Sequence, residues 1–226
     1  MLLPLHVAQE INGRVVRLEH QRRLLEEVPE ILKDPEVKIE PVRRVDTSIA
    51  KGILHAAIET EATMIVMGWR GKPTFRQSIF GTVLDEVVWM ATVPVLVGRL
   101  TTPLNANQRV VLVVPHNSLT LGLAGKTLET ATAIAQAINV PLLVLAAEGY
   151  VLHLRKELEE LDLELSCQII PLKGDAIQGV ISEVNPLDLV VVTTAGSKLR
   201  FRSSLGRIPE QLAEAISGSM VVIHYS

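Results

Sequence analysis

Aliphatic runs and amphipathic stretches alternate along the whole chain, with periods near two and near 3.6. Leu2–Ala8 reads as a short strand and Arg14–Lys33 as a charged amphipathic helix, with Leu24, Leu25, Val28 and Ile31 on one side. Val37–Val45 alternates as a strand, and Asp46 and Ser48 are placed to cap a helix that runs through Glu61. Thr63–Met67 reads as a buried strand. A glycine-containing basic loop, Gly68–Phe80, a helix at Thr82–Thr92 and a strand at Val93–Val97 follow it. Strands that alternate with helices argue for a parallel sheet with right-handed crossovers.

Thr101–Gln108 is polar, carries Pro103 and reads as a linker, after which the pattern restarts. Strands are expected at Val110–Val114, Leu142–Ala146, Glu164–Pro171, Leu187–Val192 and Met220–His224. Helices are expected at Gly122–Ile138, Val151–Leu161, Asp175–Val184 and Ile208–Ile216. Laid over each other, the halves form an internal repeat. The segment from Met64 through Arg99 aligns with Leu189 through His224, and Leu2–Ala8 aligns with Leu142–Ala147. The stretch Arg109–Asn139, an opening strand and helix, has no counterpart in the first half. The expected fold is therefore α/β, with two tandem modules at 1–103 and 104–226, the first lacking its opening strand and helix.

Composition supports this layering. The 226 residues are 48% hydrophobic but only 3% aromatic, as suits aliphatic strands covered on both faces. Charged residues are 21% and the net charge is −3, which excludes a disordered chain and a global basic field for nucleic acid. The uncharged-looking stretch Thr130–Ala147 is interrupted by Gln136, Asn139 and Pro141. It reads as a helix followed by a strand, not as a membrane span. One cysteine, Cys167, permits no internal disulfide. The six histidines show no metal-ligand spacing, and no Gly-x-Ser-x-Gly nucleophile turn occurs. Lys198, Arg200, Arg202 and Arg207 read as a solvated loop rather than as an RNA or lipid contact.

The candidate chemistry lies in Gly68-Trp-Arg-Gly71, nine residues, then Gly81-Thr82, between a buried strand and a helix. Glycines there permit positive φ and a close approach of backbone to a ligand. Amides at the helix start and the Thr82 hydroxyl are placed to hold phosphate oxygens, and Arg70, Lys72 and Arg76 add positive charge. The other reading is three independent turn glycines beside solvated basic residues.

The spacing G-x2-G-x9-G-[S/T], after a strand ending in Val66-Met67 and before a helix leading to Pro94-Val95-Leu96-Val97, resembles the universal stress protein family. The likeness covers essentially the whole chain as two modules. It implies a doubly wound parallel sheet of strand order 3-2-1-4-5 and ATP as ligand, with Mg2+ only alongside the nucleotide. Carried over, it puts Val7 beside adenine and Met67 and Gly68 at the ribose and phosphates. Gly71, Gly81, Thr82 and Val83 fall on the phosphate positions, with Arg70 in the same loop. It further implies pairing of the two modules through their last strands, as in family dimers, with a homodimer as an option. Modules of this family also occur fused behind cation/proton antiporter membrane domains, and Asp85–Leu100 looks like those. That places the chain in the cytoplasm, with an antiporter domain upstream.

Two departures carry consequences. In the family the opening strand ends in a turn whose Asp helps to hold the nucleotide. The first half lacks that strand, and the second reads Val114-Pro115-His116-Asn117-Ser118, with His116 at the Asp position. The second loop reads Thr193-x2-Gly196-x9-Gly206-Arg207, so no nucleotide site is expected there. A missing central strand leaves two inner edges with unpaired backbone groups. The chain is accordingly expected to be a C-terminal fragment, or to close the gap by rearrangement or with another chain. The resulting expectation is a regulatory, non-catalytic ATP-binding module, with slow hydrolysis as a separate possibility. The alternative is a degenerate interaction domain that binds no nucleotide.

Overall fold

The computed structural model describes residues 1–11, 14–16, 27, 37–69, 82–115, 120–161, 165–195, 205 and 207–225. These form two compact units, one of residues 1–63 and 82–91 and the other of residues 64–81 and 92–226.

The larger unit is built on a seven-stranded sheet. Its strands are β4 (Ile65–Gly68), β5 (Val95–Arg99), β6 (Arg109–Val114), β7 (Leu142–Ala147), β8 (Cys167–Leu172), β9 (Asp188–Ala195) and β10 (Ser219–Tyr225), in the spatial order β4-β5-β10-β9-β6-β7-β8. The five strands of the second half are all parallel, and β6 stands between β7 and β9. Their order is 3-2-1-4-5 as expected, reading from β8 to β10. Val110–Val114, Leu142–Ala146 and Leu189–Val192 are buried on both faces, which is why these strands read as continuous aliphatic runs. Helices α3 (Leu121–Ala137), α4 (Glu148–Glu160), α5 (Ala176–Glu183) and α6 (Arg207–Ala215) complete this unit. Thr120 caps α3, its Oγ1 accepting from Leu123 N, and Asp175 caps α5, its Oδ1 accepting from Gln178 N. Leu128 and Leu154 pack against Leu112, Val144, Val191 and Ile223 in one core.

The last strands of the two halves, β5 and β10, pair antiparallel, with Val97 opposite Val222 and Val95 opposite His224. The sheet thus continues through the second half into β5 and β4, which are parallel to each other.

The smaller unit holds β1 (Leu5–Ile11), β2 (Arg14–Val16), β3 (Val42–Asp46), α1 (Ile49–Glu59) and α2 (Thr82–Met90). β1 pairs parallel with β3 and antiparallel with β2. Ser48 caps α1, its Oγ accepting from Lys51 N at 3.1 Å, and Ala50, Leu54 and Ala56 form the buried face of α1. Asp46 does not cap the helix; its carboxylate accepts from Thr47 N at 2.7 Å and meets His55.

Two expected elements differ. Arg14–Val16, expected to open a helix, is a strand that occupies the edge of β1 opposite β3. The pairing of Ile11 with Arg14 leaves a two-residue connection, Asn12-Gly13, the commonest short hairpin dipeptide, and Val15-Val16 is β-branched. Beyond Val16, the expected helix lies almost wholly outside the described residues. The strand expected over Val37–Val45 starts only at Val42, with Ile39 in an isolated bridge to Leu2.

Candidate functional site

In the smaller unit, Val7 sits mid-strand in β1, opposite Arg44, and its side chain packs so closely on α1 that Gly52 has no room for a Cβ. Thr82 and Val83 open α2, which packs against α1, and Val83 is half-buried. Asp85 lies buried in the first turn of α2, which puts a negative charge of the chain near the positive end of that helix.

Met67 and Gly68 belong to the larger unit, in β4, opposite Val97 and Gly98. Gly68 has none of the positive φ that a glycine turn permits, and among the described residues nothing stands within 4 Å of where its Cβ would be. Its use is open space rather than unusual backbone. Arg70, Gly71 and Gly81 lie outside the described residues.

The residue that follows β4 is held in a way the sequence reading missed. Trp69 N donates to the Gly98 carbonyl at 2.7 Å, and the buried Trp69 ring lies 5.5 Å from the Arg99 guanidinium. Arg99 is itself buried and grips the C-terminal end of α6. Its Nη1 donates to the Ala213 carbonyl at 2.5 Å, and Nη2 donates to the carbonyls of Ile216 and Gly218 at 2.7 and 3.0 Å. A cation at a helix C-terminus satisfies orphan carbonyls and opposes the negative end of the dipole. Burial pulls the guanidinium pKa below its ordinary value. The signal was a single charged residue closing the apolar run Val93–Val97, next to Gly98.

A second charged group joins β3 to α1. Asp46 Oδ2 accepts from Arg44 Nε at 3.2 Å and stands 2.8 Å from His55 Nδ1, and Arg44 Nη1 also pairs with Glu59. His55 above all, with the Thr47 amide and Arg44, holds the Asp46 carboxyl well below the usual carboxylate range, against the opposing effect of burial. Asp46 and His55 lie nine residues apart on adjacent elements, a spacing that reads from sequence as mere surface charge.

In the second half, Thr194 Oγ1 and His224 Nδ1 meet at 3.0 Å across β9 and β10, and burial lowers the His224 pKa. The Thr193 hydroxyl is buried without a hydrogen-bond partner among the described residues. Arg207 opens α6 exposed, and its Nε donates to Gln211 one turn on, at 3.2 Å. Among the described residues no three metal-ligating side chains cluster, and no helix is long and apolar enough to cross a membrane.

Residues 5–99 match the sequence model of the universal stress protein family. Over 106 residues the chain is 33% identical to the Na(+)/H(+) antiporter NhaS5 of Synechocystis sp., a match that covers 44% of this chain and 15% of that protein. In structure, the chain is similar to a protein of Pseudomonas aeruginosa UCBPP-PA14 assigned to the universal stress proteins. That likeness has a TM-score of 0.63 at 14% identity and covers 99% of this chain and 92% of the other. It is also similar to the cytoplasmic domain of a prokaryotic cation chloride cotransporter, with a TM-score of 0.62 at 12% identity over 98% and 83% of the two chains.

Proposed function

Taking as premise that residues 5–99 belong to the universal stress protein family, we propose that this chain is a regulatory, non-catalytic part of a cation/proton antiporter. In this reading it lies on the cytosolic side of the membrane and binds an adenine nucleotide in its first module, 1–103. The second module, 104–226, is its structural partner. The observation that carries the transporter link is the 33% identity to a Na(+)/H(+) antiporter. The likeness to the cytoplasmic domain of a second kind of ion transporter supports it.

The nucleotide reading rests on the glycine spacing. Val7 would flank adenine, and Met67 and Gly68 would face the ribose and phosphates; no described residue stands within 4 Å of the Gly68 Cβ position. Gly71, Gly81, Thr82 and Val83 would hold the phosphates, with Arg70 as counter-charge. Mg2+ would enter only with the nucleotide. Binding would regulate only through differential affinity for the states of the chain, since a ligand shifts an equilibrium in no other way.

Calorimetry with ATP tests this. Saturable heat at one site per chain, lost in Gly71→Val, is expected; no heat at millimolar ATP ends the nucleotide reading. The transporter reading is checked by immunoblot of the source cells. It requires the epitope in a longer, membrane-bound polypeptide, and a short species confined to the soluble fraction contradicts it.

A second reading, an interaction domain that binds no nucleotide, is favoured by Asp85. A carboxylate in the first turn of α2 stabilises the helix end without a ligand and opposes a phosphate there.

A further inference from the structure

The two ends of the seven-stranded sheet are finished differently. At one end, β8 turns residues 167, 169 and 171 outward, since the Ser166 carbonyl faces β7 to accept from Leu142 N. Pro171, with no N–H to offer, is among the outward residues, a common way of blunting an edge. At the other end, β4 reads Ile-Val-Met-Gly, with no proline and no charge. Ile65 N and Trp69 N donate toward β5, to the carbonyls of Pro94 and Gly98. Val66 and Gly68 therefore turn their N–H and C=O groups away from β5, to the outer edge. Val66 is 65% exposed, unusual for a strand residue of this apolarity.

The second half shows what such a strand is built to meet. β9, the repeat counterpart of β4, has β10 on one side and β6 on the other. β6 lies parallel in the register Arg109 to Asp188 and Val113 to Val192. The neighbour is a six-residue strand of sequence Arg-Val-Val-Leu-Val-Val. In the smaller unit the matching inner edge, that of β1, is already taken by β2.

We propose that the outer edge of β4, which no described strand pairs, is a docking edge for an extended, apolar, β-branched segment of another polypeptide, added as a parallel strand in the place that β6 holds beside β9. Backbone hydrogen bonds from Val66 and Gly68 supply the register, and the exposed Val66 side chain supplies the apolar contact.

The probe is a fluorescent peptide of residues 108–115 with two lysines at each end, titrated into the whole chain and followed by anisotropy. Saturable binding at one peptide per chain is expected, with exchange of the Val66 and Gly68 amides slowed at least tenfold by bound peptide. Val66→Pro removes one outward donor and leaves the β5 ladder intact. It should weaken binding at least tenfold at unchanged far-ultraviolet circular dichroism. If Val66→Pro misfolds, Val66→Lys replaces it, placing a charge where the peptide must pack, with the same expected loss. Failure to saturate at millimolar peptide overturns the proposal, as does equal binding to the variants. So does a homodimer, seen by light scattering and dissolved by the same substitutions, since the occupant is then a second copy of this chain.

Discussion

Strands β4 and β9 align in the internal repeat, and each carries aliphatic residues, yet their surroundings differ. Val190, Val191 and Val192 are fully buried between β10 and β6, whereas Val66 in β4 is mostly exposed and, among the described strands, β4 has β5 alone beside it. The difference lies not in the strands but in the neighbour. Strand preference expresses fit to a pleated, covered surface, so the same apolar residues form a core in one half and an edge in the other. A central strand therefore stabilises more than its own length. It closes two edges, and where no described strand takes that place in the first half, β1 and β4 belong to different sheets.

The largest effect should come from the central strand itself. Leu112 in β6 is fully buried among residues of β7, α3 and α4. Truncation to Ala is expected to cost about 2–5 kcal/mol, the range for a buried Leu that leaves a cavity. Val66→Ala in β4 should change stability by less than about 0.5 kcal/mol, as at exposed sites without special features. Urea denaturation with an unchanged slope measures both. Comparable losses would mean that the β4 edge is covered in solution.

Next comes the joint between the halves. Arg99→Met keeps the aliphatic stem but strips three carbonyls at the end of α6 of their donor, at an expected cost of about 1–3 kcal/mol. Arg99→Lys should not restore the loss, since one ammonium cannot span the carbonyls that the guanidinium fork reaches. In a Trp89→Phe background the emission of Trp69 reports the same event, because its ring loses the overlying cation. A Lys variant as stable as the parent would show that charge rather than geometry holds the joint.

Most of the fold was legible because it is periodic. The buried strands β6, β7, β9 and β10 announce themselves as aliphatic runs, and Ser48, Thr120 and Asp175 cap the helices they precede. Failures occurred where a short local signal competed with a longer pattern. The charged, helix-like stretch after Arg14 hid the hairpin signal of Asn12-Gly13. The candidate site was legible as spacing alone. What the structure adds around it is long-range: Trp69 beneath Arg99, and Arg99 on carbonyls more than a hundred residues away, are contacts no local pattern encodes.

The smallest effects separate the halves by pH. His224 is buried in β10, beside Thr194 and opposite Val95 of β5, and burial lowers its pKa from the ordinary 6.5. The unfolded chain therefore takes up a proton that the folded chain refuses. Stability is complete above about pH 6.5 and declines as the pH falls through the interval down to the folded pKa. By pH 6 this single group contributes a loss below about 1 kcal/mol. Asp46 acts in a different window. His55, the Thr47 amide and Arg44 favour its charged form, so its contribution is present above the ordinary 3.8 and is lost as the pH falls below that value. His224→Gln should flatten the decline between pH 6.5 and 5 in amide exchange of β9 and β10, leaving β3 and α1 unchanged. Asp46→Asn should do the reverse, removing the dependence below pH 4 in β3 and α1 alone. If either substitution moved both windows, the two units would be titrating as one cooperative body, and the contrast between β4 and β9 would then have to be sought in sequence rather than in their neighbours.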